Sequence, residues 1–192
     1  MKKDHVSFQR RPFLTPIWLT AIAAVVVFCI AIFAVWTAWT WATAGSATVI
    51  VIRHAEKDVG VDAVDPPLSQ AGETRAALLA QMFGDRQPSG LDAVYVSPAL
   101  RNRMTAAPLA ARLGVSETVV RADDPRGLAR RVLREHGSGR VLIVGHGDTV
   151  PQIVAALSGE TKIPEMAALE YGTMYVVTVP RIGHANVLRL NY

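Results

Sequence analysis

The sequence predicts an α/β fold, a three-layer sandwich on a mostly parallel central sheet, preceded by one transmembrane helix. Three observations carry this expectation. No charged residue occurs between Pro12 and Ile52, and Ile17 to Ala44 is almost wholly Ala, Val, Ile, Phe, Leu, Thr and Trp. Beyond that stretch, short β-branched runs alternate with segments of helical periodicity, the pattern of a parallel sheet covered by helices. At 192 residues there is room for one ordinary domain and a short appendage, since domains usually run to about 100 to 200 residues.

Residues 1–16 read as a basic cytoplasmic tail, in which Lys2, Lys3, Arg10 and Arg11 outweigh Asp4. The apolar stretch at 17–44 is longer than the roughly 20 residues a spanning helix needs. Trp18 near one end and Trp36, Trp39 and Trp41 near the other fit the aromatic belts of a membrane helix. With the positive residues ahead of the span, the tail is expected inside and all that follows outside, a single-pass cell-membrane protein with its domain on the periplasmic side. A cleaved export signal is the competing reading: Ala42-Thr43-Ala44 has small residues at a peptidase spacing, and Gln9-Arg10-Arg11-Pro12-Phe13-Leu14 resembles a twin-arginine signal. Export signals have apolar cores of about 7 to 15 residues, which favours the retained anchor.

A pI near 9.6 invites a nucleic-acid reading, but the tail accounts for most of the excess charge. The remainder holds 16 basic and 15 acidic residues and no dense Lys/Arg run. No nucleic-acid partner is expected. The single cysteine, Cys29, lies in the apolar stretch and excludes a disulfide framework.

The domain is expected at 47–192, after a linker of only Ala44 to Ala47. Strands are predicted at 48–52, 91–96, 118–121, 141–144, 174–179 and 187–190, and helices at 69–83, 101–113, 125–136 and 150–157. The last two strands flank a Gly-containing loop at 180–185 that fits a hairpin. Open α/β sheets bind ligands at the carboxyl ends of their strands, and reactive side chains gather there. The first strand ends in Arg53-His54-Ala55-Glu56, the second runs into Ser97-Pro98-Ala99-Leu100-Arg101, and the 141–144 strand ends in Gly145-His146-Gly147-Asp148.

Two arginines and two histidines at three strand ends suit phosphate chemistry. A phosphate ester repels nucleophiles by its own charge, so an enzyme must neutralise the phosphoryl oxygens and place the attacker in line. The planar fork of arginine grips two such oxygens and stays charged. A neutral imidazole forms a phosphohistidine that splits one hard step into two. A second histidine, protonated near neutral pH, adds a donor to the developing charge. Gly145-His146-Gly147 lacks the Lys and spacing of a P-loop. No histidines stand at metal-ligand spacing, so neither a metal nor another cofactor is expected. His136 near a helix end, His184 in a loop and His5 in the tail need no catalytic explanation.

These motifs together resemble the histidine phosphatase superfamily, the phosphoglycerate-mutase-like family. Arg53-His54-Ala55 matches its Arg-His-Gly triplet, Ser97 to Arg101 its Ser-Pro-x-x-Arg segment, and Gly145-His146 its late Gly-His. Leu68-Ser69-Gln70-Ala71-Gly72 resembles its Leu-(Ser/Thr)-x-x-Gly turn, and Thr105-Ala106 its Thr-Ala after the second Arg. The resemblance implies that His54 is the nucleophile, that Arg53 and Arg101 clamp the phosphate, and that His146 completes the pocket. It further implies a phosphoric monoester hydrolase acting on a small phosphorylated substrate or envelope component. Ala55 departs from the usual glycine, adding only a methyl. The proton donor is open among Asp123, Asp124, Asp148 and Glu56. A mutase that returns the phosphate is one alternative, disfavoured by a domain of about 145 residues without a lid insertion. A phosphate-binding module without turnover is the other.

Overall fold

The computed structural model describes residues 17–43, 45–60, 64–84, 90–121 and 123–192. The tail expected at 1–16 lies outside the described residues, as does Ala44 at the end of the expected span. The chain divides after Thr43 into two units.

The first unit is the helix α1 (Ile17–Thr43). Its apolar side chains are exposed all round, with none of the span from Trp18 to Trp41 buried. A helix without a polar face has no place on the surface of a globular domain. At about 1.5 Å per residue, Trp18 and Trp39 stand roughly 31 Å apart, close to the ~30 Å of a bilayer's hydrocarbon core. By length and composition α1 is able to cross a membrane.

The second unit is a single six-stranded sheet with helices on both faces. Its strands are β1 (Ser46–Arg53), β2 (Ala93–Val96), β3 (Glu117–Val119), β4 (Arg140–Gly145), β5 (Thr173–Pro180) and β6 (Asn186–Asn191), in spatial order β3-β2-β4-β1-β5-β6. The strands from β3 to β1 are parallel, and β5 and β6 are added antiparallel. All six follow the expected runs. The second and third are shorter than expected: Leu91 and Asp92 precede β2, where Asp92 clasps the start of β4 by accepting the Arg140 N–H at 2.7 Å, and β3 is a three-residue edge. The expected hairpin joins β5 to β6.

Strand alternation splits the core into two layers. Val49 and Val51 of β1 join Val141 and Ile143 of β4 beneath α4 (Pro125–Glu135) and α5 (Thr149–Ser158), through Leu128, Val132, Ile153 and Val154. Ile50 and Ile52, with Leu142 and Val144, face α2 (Gln70–Phe83) and α3 (Leu100–Leu113) through Leu79, Ala106 and Leu109. Buried side chains two apart on a strand share a face, so this alternation specifies three layers. Ser69 caps α2 by accepting the Gly72 N–H, which explains why the Leu-Ser-x-x-Gly turn opens a helix. Gly72 itself sits hard against the loop after β1: a Cβ there would stand 2.2 Å from the Glu56 carbonyl oxygen.

Candidate active site

The parallel ladder explains why residues far apart in sequence meet. Arg53 pairs with Gly145 and Val96 with Val144, so the residues that follow each strand emerge side by side at one edge of the sheet. Ser97, His146 and His54 are those residues. The His54 N–H donates to the Gly145 carbonyl at 3.0 Å, and the two imidazole rings lie 5.5 Å apart, edge to face. Arg101 reaches the same place from the first turn of α3. A cavity of about 670 Å³ opens here, with Arg53, His54, Lys57, Arg101, His146 and Asp148 in its wall. All four residues singled out from the sequence are thus brought together, with Lys57 as a further cation.

His54 is buried, and its Nδ1 lies 2.7 Å from the Ala55 carbonyl oxygen. A carbonyl only accepts, so in the neutral ring the proton sits on Nδ1 and the lone pair on Nε2. Burial drives the pKa down from 6.5 to about 4, with Arg101, His146 and Arg53 pushing the same way against the Ala55 carbonyl. At neutral pH the ring is therefore an uncharged base whose Nε2 no described residue engages, the form a nucleophile requires.

Arg53 is tethered through one end of its fork and Arg101 through both terminal nitrogens. Arg53 donates from Nη1 to the carbonyls of Ala167 at 3.0 Å and Glu170 at 3.3 Å. Arg101 donates from Nη1 to Asp65 at 3.2 Å and from Nη2 to His146 Nδ1 at 3.4 Å. The Nε of both is buried without a partner among the described residues. A buried N–H left unpaired is costly, and two such donors in one basin suit an oxyanion.

His146 differs from the expected cationic donor. Because Arg101 can only donate, His146 Nδ1 accepts, and the neutral ring carries its proton on Nε2, 2.9 Å from Ser97 Oγ. Burial, then Arg101, hold its pKa below the ordinary value. It stands in this arrangement as a neutral ring oriented by Ser97.

Of the four carboxylates considered as proton donors, three are committed elsewhere. Glu56 is gripped by Arg75 at 2.6 Å and held below the usual carboxylate range by that bond. Asp124 caps α4 through the Gly127 N–H. Asp123 touches the cavity but is paired with Arg121 at 2.6 Å, which lowers its pKa. Asp148 lines the cavity and, although it begins α5, makes no side-chain cap bond.

The sequence reading missed three supporting residues. Asp65 binds Arg101 with one oxygen and, with the other, accepts the Leu100 N–H at 2.8 Å, supplying the cap that Ala99 cannot. Asn102, fully buried, donates to the carbonyls of Val144 and Gly145 at 3.0 Å each and pins α3 to the end of β4. Tyr171 lies 5.9 Å from the His54 ring. Ala55 resolves the glycine departure: its methyl is buried with Leu68 and Ala76, and its N–H donates to Thr105 Oγ1 at 2.9 Å.

Residues 49–124 match the histidine phosphatase superfamily (branch 1), a stretch that contains His54 and Arg101 and ends before His146. No curated protein sequence matches the chain. Among solved structures, the protein histidine phosphatase SixA complexed with tungstate has a TM-score of 0.62 at 22% identity, covering 75% of this chain and 96% of that one. Mycobacterial glucosyl-3-phosphoglycerate phosphatase has a TM-score of 0.59 at 17% identity, covering 76% of this chain and 99% of that one. At these identities the likeness is one of fold. Residues 49–124 thus carry the match to the histidine phosphatase superfamily, and the second unit shares its fold with these solved phosphatases.

Proposed function

We propose that the chain is a phosphatase that hydrolyses phosphomonoesters through a phosphohistidine on His54. The observation that carries this reading is a neutral His54 whose Nε2 no described residue engages, set beside two tethered guanidiniums whose Nε donors have no partner among the described residues. Nε2 attacks phosphorus, the P–O bond to the leaving group breaks, and the leaving oxygen takes a proton from Asp148. Water then attacks the phosphohistidine and gives up a proton that restores Asp148, the P–N bond breaks with its electron pair returning to Nε2, and inorganic phosphate leaves. Arg53 and Arg101 hold the phosphoryl oxygens throughout, His146 joins them when its Nε2 proton turns from Ser97 to the phosphate, and Lys57 adds charge beside them.

Turnover of an aryl phosphate by the detergent-solubilised full chain tests this reading. Hydrolysis is expected to survive exhaustive chelation, because side chains supply the positive charge, and to be inhibited by vanadate, which mimics five-coordinate phosphorus. Activity lost on chelation and restored by a divalent ion would overturn the mechanism.

The same proposal places the enzyme at a membrane, with α1 retained as an anchor and the domain outside the cytoplasm. A reporter fused after Tyr192 should then be active only when exported, and it should sediment with membranes. Activity confined to the cytoplasm would reverse the orientation, and a released reporter would make α1 a cleaved signal.

A further inference from the structure

We infer that the segment 166–172, between α5 and β5, is a strap that sets the plane of Arg53, with Tyr171 and Glu170 as its positioning residues. The inference rests on the reading of Arg53 as a phosphate ligand and extends it to residues that never meet the phosphate. The guanidinium is fixed twice over. Its face lies against the Tyr171 ring, with Cζ 4.3 Å from the ring centroid, and its Nη1 edge donates to the carbonyls of Ala167 and Glu170. Gly147, following β4, closes in further, since a Cβ there would come within 3.3 Å of Arg53 Cζ.

Glu170 gives the strap its shape. Its Oε2 accepts the Ala167 N–H at 3.0 Å, while its own N–H donates to the Ala167 carbonyl at 3.0 Å. Its Oε1 accepts from Thr173 Oγ1 and from Arg189 Nη2, which fastens the turn to β5 and, through Arg189, to β6. The two carbonyls that hold Arg53 thus belong to a turn closed by one carboxylate. A free arginine side chain must lose several rotors to grip an anion, and a planar fork already stacked and tethered loses fewer. The stacking also leaves the orphan Nε of Arg53 as a donor for an oxyanion.

Tungstate binding to the full chain in detergent, measured by calorimetry beside the melting temperature, tests the strap. Tyr171→Phe keeps the stacked ring and should bind like the parent. Tyr171→Leu and Glu170→Ala should each weaken binding about tenfold. Neither should weaken it further in an Arg53→Ala background, because each acts through Arg53. Losses that add in full to that of Arg53→Ala, or affinities unchanged in Tyr171→Leu and Glu170→Ala, would overturn the inference. If Arg53→Ala itself binds tungstate normally, the reading of Arg53 as a ligand fails and the strap falls with it. Should Tyr171→Leu or Glu170→Ala not fold, Glu170→Gln, whose amide nitrogen cannot accept the bonds that one carboxylate oxygen takes, carries the same cycle with a smaller loss of affinity expected.

Discussion

His54→Ala should abolish turnover and also the covalent label that brief mixing with phosphorus-labelled substrate leaves on the parent protein. The label is expected at Nε2, the ring nitrogen that no described residue engages, as a phosphoramidate that survives alkali and is lost in acid. Label persisting in the variant, or resisting acid as a serine ester does, would show that another group attacks. The same ring carries a pH signature. Its pKa of about 4 means that, between about 6.5 and 4, the unfolded chain binds a proton that the folded chain refuses. Stability contributed by this residue is therefore complete above 6.5 and falls as the pH drops towards 4, by an amount on the order of 3 kcal/mol at about 1.4 kcal/mol per unit. Replacing His54 should remove that part of the acid sensitivity. A nuclear magnetic resonance titration of the His54 ring with a midpoint near 6.5 would contradict both expectations.

Arg101→Ala should fail differently. The nucleophile remains, but one of the two orphan Nε donors is gone, along with a full charge at the site of developing negative charge. Losses of one such donor commonly cost a hundredfold or more in rate, and that is the decrease expected in kcat. Labelling at His54 should still be detectable, only slower. Arg101→Lys should rescue little, because a single ammonium cannot meet Asp65, His146 and a phosphoryl oxygen from one fork. Removing Arg101 should also raise the pKa of His146, since the guanidinium is one of the causes holding it down. A variant that turns over at the parental rate would remove Arg101 from the mechanism.

The strands and helices were legible because burial on a sheet and on a helix leaves different periods in the sequence, and the runs at 48–52 and 141–144 are unbroken. The chemistry was legible because strand order brings strand ends together: Arg53 ends a strand, and His54 and His146 follow strands directly. What the sequence did not show is the support. Asp65 reads as a turn residue before Pro66 and Pro67, and nothing local says that its carboxylate caps a helix 35 residues on. Tyr171 reaches Arg53 across more than a hundred residues. Ser97 stood inside a recognised motif, yet its task, orienting the His146 ring, is visible only once β2 and β4 are paired. His146 itself was expected as a cation because an isolated imidazole titrates near neutrality, whereas burial and then Arg101 hold its pKa down.

The contact between Gly72 and the Glu56 carbonyl has a consequence for how sensitivity to substitution is read in this domain. The backbone of α2 lies so near the segment just past the nucleophile that a methyl group at position 72 displaces Glu56, two residues from His54. Position 72 would therefore rank with the nucleophile in any survey of tolerated replacements, although it never approaches a substrate. Intolerance at the Leu-Ser-x-x-Gly turn records clearance between two backbones, whereas intolerance at Arg101 records charge, and only the second is repaired by changing the chemistry of the ligand.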